Sequence, residues 1–412
     1  MIKSKFFIAL LWLLAAASNV DARDRTKFAT DGTCDGLPRM PVKTFEGFCL
    51  ALFAEGFSFP RGILPQDNGD VLLVDMGSWG KKKGSLWRVS NNAGTVKKQR
   101  LLDGLDRPHA IVKSPEGLIY LASVDKISIV QLEGNAATLI DVIGGNSIVP
   151  GLPTTGRHPL KQITFNSSGD IFVNIGSESD NCEVEGQLKK AKRGICLEAT
   201  GWTQRGAIRK YRAIGEGRFH PKWEVFASGL RNSMGLDFEP LTGTLWQVEN
   251  ARDSISNVDS KLDDSSFPHD ELNLIRQGAN FGWPYCYDMG VASPEYSDHD
   301  CSNVHHPALL LPPHSAPLGL AFHNGTGLPK GLKKGAFITL HGYRKTGHRV
   351  VFVAVDDYGH PSGDPLDIVW GWDGSESMSR GAPVDIRRAK DGAMYISDDR
   401  NGLLLRLSYR VR

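Results

Sequence analysis

The sequence predicts an all-β chain, a six-bladed propeller of four-stranded blades, from two observations. The first is repetition: a glycine-containing turn, an alternating apolar strand, a few polar residues and a second apolar strand recur along the chain, at a period of roughly 40–60 residues that reads as propeller blades. The second is the lack of helical periodicity. The best helical candidates, Leu188–Arg193 and the insertion before Pro268, carry no convincing apolar face.

Six units are counted, in the order GDVLLVDM to GSLWRVS, EGLIYLAS to KISIVQL, SGDIFVNIGS to GAIRKYR, TGTLWQVEN to DELNLI, KGAFITLHG to HRVVFVAV, and DGAMYISDD to GLLLRLSY. Glycine turns ahead of alternating apolar residues are hairpin signals. The third, fourth and fifth units are stretched by insertions, which in repeat folds collect on one face, often the binding face.

With 412 residues, 41% hydrophobic, the chain can bury a full core. Its net charge of +2 gives no reason to expect a nucleic-acid partner. The basic runs KKKG (Lys81 to Gly84) and KKAKRG (Lys189 to Gly194) read as solvated loops. The N-terminus has Lys3 and Lys5, an apolar run from Phe6 to Ala17, and small residues at Val20 and Ala22. This is the pattern of a signal peptide over residues 1–22, with the propeller over 23–412, and the run is short for a spanning helix. The mature chain is therefore expected to have no membrane span and to be periplasmic or secreted.

Six cysteines suit that oxidising compartment. Proximity suggests Cys34–Cys49, Cys182–Cys196 and Cys286–Cys301; other pairings remain open. No two have the C-x-x-C spacing of a metal site. Asn166 (NSS) and Asn324 (NGT) are glycosylation sequons for a eukaryotic host.

Three segments carry chemistry. His158 stands a few residues before the innermost strand expected of the third blade, Arg231 and Asn232 stand before that of the fourth, and HDELNLIRQGANFGWPYC (His269 to Cys286) follows. Loops that lead into or out of inner strands converge on one end of a propeller channel.

From about Pro60 to Tyr409 the chain resembles the quinoprotein sugar dehydrogenases of the soluble glucose dehydrogenase and L-sorbosone dehydrogenase type. The resemblance rests on ordered motifs: RPHAI, His158 followed by GDIFVNIGS, GAIRKYR, ASGLRNSMGLDFEPLTGTLW, ENARD, PHDELNLI, GANFGWPYCY, HSAPLGLAF, LHGYRKTGHRVV and DGAMYISDDRNG. It implies pyrroloquinoline quinone and calcium at the channel mouth, a sugar or polyol substrate, and an external electron acceptor. His158 matches the general base, a role that suits an imidazole. Arg231 and Asn232 match the pair that contacts the quinone, where guanidinium donors stabilise developing charge. The calcium-binding carbonyls fall at Ala251 and Arg252. Arg344, Lys345 and Arg349 are the expected partners of the cofactor carboxylates, with Lys345 preferred.

This chain departs from the family in places. Ser177 replaces the aspartate that supports the histidine in glucose-type members, as in sorbosone-type relatives, Ala382 stands where many have arginine, and Ala251 lies where glucose-type members have Gly-Pro. Asp270 and Glu271 are read as hydrogen-bonding their loop, with calcium ligation the alternative. Trp283, Pro284 and Cys286 are read as a rim turn tied down through Cys301. Two other functions stay open: a calcium-dependent lactonase, which would need several Asp, Asn or Glu side chains converging on the channel metal, and a binding propeller that has lost its cofactor.

Overall fold

Strands in a propeller bury both faces, so each middle strand is apolar on its odd and even positions alike. In the first blade Val71 and Leu73 pack toward the last blade, and Leu72 and Val74 pack toward the second. The computed structural model describes residues 31–410 apart from 93, 185–186, 192–194, 325–327, 329–331, 343–345 and 373–379. Within them six antiparallel sheets follow in chain order, the arrangement of a six-bladed propeller with four-stranded blades.

The innermost strands are Pro60–Pro65, Ala110–Lys113, Ile163–Phe165, Ser233–Phe238, Pro317–Asn324 and Pro383–Arg388, and they neighbour one another in a ring. The ring closes through a segment outside the six repeats. Phe48–Glu55 pairs antiparallel with Leu403–Tyr409 and supplies the outermost strand of the sixth blade. Cys34–Cys49 anchors that strand's start. Two blades gain a fifth strand, Ala279–Asn280 running parallel to the end of Arg218–Ser228 in the third and Lys43–Thr44 in the fifth.

Neither helical candidate forms an α-helix among the described residues, in keeping with the all-β reading. Gln187–Ala191 pairs with Glu183–Val184 as a hairpin, and 192–194 lie outside the described residues. The insertion before Pro268 holds only a 3-10 turn, Ile255–Asn257. A longer helix there would have had no apolar stripe to dock. The other disulfides are Cys182–Cys196 and Cys286–Cys301, so the paired cysteines are those adjacent in sequence. No helix among the described residues is long and apolar enough to cross a membrane.

Alternating strand direction brings every connection between second and third strands, and every connection between blades, to the same end of the channel. That end carries the insertions of the third and fourth blades. The segment after Ile275 joins it by rising beside Ser228 through Ala279–Asn280 before returning as Leu309–Leu311.

Between the second and third blades the side chain of Lys161 is fully buried and donates to the Pro159 carbonyl. Burial, with Arg205, Arg209 and Arg107 nearby, brings its pKa from 10.5 to about 7. The unfolded chain keeps that proton up to the ordinary value, so between the two values the unfolded state binds more protons and stability rises with pH. Lys161→Met is expected to flatten the rise in melting temperature across that window. An unchanged slope in the variant would show that Lys161 is not its source.

Candidate active site

The inner-strand loops enclose two adjoining lobes at the channel mouth, each of ≈ 380 Å³. One is lined by Arg61, Trp79, His158, Asn232, His341 and Arg400. The other shares His158 and Asn232, has Arg157 in common with the first as well, and adds Arg231, Ala251, Asp253 and Asp270. Beneath them Met76, Leu160, Met234, Leu318 and Val384 form an apolar plug in the channel. Trp79 stands at the rim with more than half its surface exposed.

His158 is held on one side only. Its Nδ1 lies 2.8 Å from Ser177 Oγ, and Ser177 Oγ in turn donates to the Ser179 carbonyl at 2.7 Å. With the hydroxyl proton committed to Ser179, the hydroxyl can only accept from the ring, which places the ring proton on Nδ1 and leaves Nε2 with its lone pair. Burial, then the charges of Arg231 and Arg157, push the imidazole pKa well below 6.5. The ring is neutral across ordinary pH.

Arg231 is buried and fully engaged. Nε donates to the Asp180 carbonyl at 3.0 Å, one terminal nitrogen to the carbonyls of Asn250 (3.0 Å) and Ala251 (2.7 Å), and the other to the carboxylates of Asp180 and Asp253 (3.1 Å). These five bonds use its five N–H groups. Burial disfavours its charge, but Asp180 and Asp253 more than offset this and raise its pKa. The Asp180 carbonyl also accepts from Trp283 Nε1 at 3.0 Å, so the GWPYC turn braces this network.

Asp270 opens the strand Asp270–Ile275 and accepts from two backbone amides, Ala251 N at 2.9 Å and Ala316 N at 2.7 Å, and from the Ser315 hydroxyl at 3.1 Å. Burial lifts its pKa to about 7. Glu249, bonded to Asn232 N, Ser233 and Gln247, is likewise lifted to about 7 by burial. Glu271 faces Glu249 across the strands and is raised well above its ordinary value, by burial first and then by its acidic neighbours. Arg252 points away from the cavity into an ion pair with Glu295, a residue of the insertion closed by Cys286–Cys301.

The cavity therefore brings together His158, Arg231, Asn232 and Ala251. Arg344 and Lys345 lie outside the described residues. Arg349 is corrected: it opens a strand of the fifth blade, bonds Asp367 and the Thr346 carbonyl, and lines a separate depression with Pro312 and Leu340. Sequence reading missed Arg61, His341, Asp399 and Arg400, although the last three stand inside quoted motifs. Asp399 takes His341 Nε2 at 2.9 Å and Arg61. Burial pushes this carboxyl up, and His341 and Arg61 bring it below its usual value. Ala382 is buried, and Arg400 of the same blade supplies a cation at the cavity wall.

A family model described as TrAA12-like matches residues 42–410. A pyrroloquinoline quinone-dependent sugar dehydrogenase of Hypocrea jecorina is 25% identical over 366 residues, 78% of this chain and 77% of that protein. Two solved structures superpose with TM-scores of 0.69. One is a calcium structure of the Trichoderma reesei carbohydrate-active enzyme family AA12, at 21% identity over 90% of this chain and 97% of that one. The other is the holo form of the pyranose dehydrogenase PQQ domain from Coprinopsis cinerea, at 19% identity over 91% and 99%. At these identities the structural likeness establishes the propeller fold.

Proposed function

Since the chain belongs to the TrAA12-like family, we propose that it is an exported quinoprotein oxidoreductase that oxidises a sugar-type alcohol or aldehyde, with His158 as general base. The observation that carries this is the ring of His158: neutral, with its proton on Nδ1 and Nε2 left to the cavity. A base must present a lone pair to the hydroxyl it deprotonates.

The cavity residues fit pyrroloquinoline quinone by their chemistry. Arg400 makes no side-chain ion pair among the described residues, and with Arg157 it offers cations for the cofactor's carboxylates. The Asn232 amide is free of side-chain partners there, and Leu160, Met234 and Leu318 offer an apolar surface. The Ala251 carbonyl keeps a second lone pair beside its bond to Arg231, and with the Asp253 carboxylate it would offer oxygens to calcium. When bound, the quinone supplies hydride acceptance and the metal polarises its carbonyl. An external acceptor closes the cycle.

Each of the chain's own groups has a limited task. His158 Nε2 takes the substrate hydroxyl proton as hydride leaves carbon. Arg231, its donors spent inside the protein, acts through its fixed positive charge rather than by donating a hydrogen bond, which revises the expectation from its motif. Asp270 and Glu249 are spent on backbone and side-chain donors, which argues against the lactonase reading. Export is supported by three disulfides and no free thiol among the described residues; the leader lies outside them.

The test is reconstitution. Titrating apo-protein with pyrroloquinoline quinone should change its absorbance and quench Trp79, and dye-linked turnover with an aldose, aldosone or polyol should require both quinone and calcium. Binding without turnover on any of these substrates would leave a binding propeller. Neither binding nor turnover would remove the quinoprotein reading.

A further inference from the structure

Ser177 poses a problem that an aspartate in its place would not. A carboxylate can only accept a hydrogen bond from the ring, whereas a hydroxyl can accept or donate. If Ser177 donated to Nδ1, the ring proton would move to Nε2 and the base would be lost. The hydroxyl accepts because its own proton is taken by the Ser179 carbonyl at 2.7 Å. The working tautomer therefore depends on where that carbonyl points.

Two carboxylates control it. Glu198 accepts the backbone N–H of Glu178 at 2.6 Å and of Ser179 at 3.2 Å, and also the Ser179 hydroxyl. Glu183 accepts the N–H of Asp180 at 3.0 Å and of Asn181 at 2.7 Å. The Asp180 N–H and the Ser179 carbonyl belong to one planar trans peptide and point in opposite directions, so Glu183 on one side sets the carbonyl on the other. The next N–H, that of Cys182, goes to Ser179 Oγ at 2.8 Å. Five consecutive amides are thus satisfied by side chains, and the disulfide Cys182–Cys196 joins the two segments that carry the acids. The same loop presents the Asp180 carbonyl and carboxylate to Arg231.

We propose that Glu183 and Glu198 are positioning residues that hold the 177–182 loop so that Ser177 accepts from His158, keeping the ring proton on Nδ1. The proposal rests on the reading of His158 as base for its catalytic consequence, but not for its structural one. Without either carboxylate, two adjacent amides lose charged acceptors and turn toward water. The Ser179 carbonyl then swings, and the Ser177 hydroxyl becomes free to donate to the ring.

The experiment is nitrogen-15 NMR of histidine-labelled apo-protein, which needs no cofactor. Wild type should report His158 protonated at Nδ1. Glu183→Ala and Glu198→Ala should each report a mixture of tautomers, with kcat down by ~10–100-fold, the scale of a misplaced catalytic group, and KM within about threefold. Adding Ser177→Asp to Glu183→Ala should restore the Nδ1 proton, since a carboxylate at 177 needs no instruction. A purely structural role for Glu183 would not be rescued in this way. If the alanine variants do not fold, Glu183→Gln and Glu198→Gln decide, because each keeps one acceptor oxygen and should shift the tautomer in the same direction. A His158 signal unchanged from wild type in the folded variants overturns the proposal. Unchanged turnover in His158→Ala would instead overturn the base assignment and leave the tautomer result standing.

Discussion

Replacing His158 by alanine is expected to lower turnover of the cofactor-saturated protein by ~10²–10⁴, the usual contribution of a positioned acid–base group, with quinone affinity nearly intact. The ring is anchored to Ser177 and lies against the cavity rather than holding its cationic wall, so its loss removes a proton acceptor and little binding surface. The pH dependence should have an equally specific form. Burial, Arg231 and Arg157 hold the imidazole pKa well below 6.5, so the base is already deprotonated at that pH and its own protonation should cost no activity until the medium is considerably more acidic. Stability follows the same sign. As pH drops below 6.5 the unfolded chain gains a proton that the folded one refuses, and stability declines until the folded value is reached. A His158 ring that titrates near 6.5, followed by its nitrogen-15 shifts, would contradict the buried, doubly repelled ring. Near-wild-type turnover in His158→Ala would remove the mechanism altogether.

Much of the fold could be read from the sequence because a propeller strand buried on both faces runs apolar at consecutive positions, as VLLV and IFV do. The closing strand could not. FCLALFAE is apolar enough to be a strand, but its pairing with Leu403–Tyr409 joins the two ends of the chain, and nothing local to either segment records a partner so distant. The site divides the same way. His158, Arg231 and Asn232 sit at fixed offsets before inner strands, so the motifs located them. Arg349 was chosen because it lies among other cations, yet strand register sends it to Asp367, while Arg400 in a quoted motif reaches the cavity. Glu183 and Glu198 were invisible, because their function lies in the path of a loop whose amides they collect and not in any spacing of residue types.

Arg231→Ala is expected to damage both stability and cofactor binding, and the two losses can be separated. Asp180 and Arg231 pair with 4% of each side chain exposed, and the Asp180 carboxyl pKa, pushed up by burial, is brought below its usual value chiefly by this guanidinium. Removing the cation strands the carboxylate and leaves the Asn250 and Ala251 carbonyls and one bond to the Asp180 carbonyl unmet. Breaking a buried pair from one side costs ~3–5 kcal/mol, which denaturant unfolding of apo-protein would measure. Reduction of bound quinone should slow by an amount like that of losing one preorganised electrostatic group, ~3 kcal/mol. Arg231→Lys should repair little of the stability, because one ammonium has three donors where five are used, but it returns a positive charge and should recover part of the reduction rate. Adding Asp180→Asn to Arg231→Ala removes the stranded charge and should recover part of the lost stability. It should not recover quinone affinity or reduction rate, because no positive charge returns to the cavity wall. If the double variant regained both, Arg231 would serve only to neutralise Asp180. If Arg231→Ala unfolded like wild type, the network of Asp180, Asn250 and Ala251 would not be what holds the site loops together.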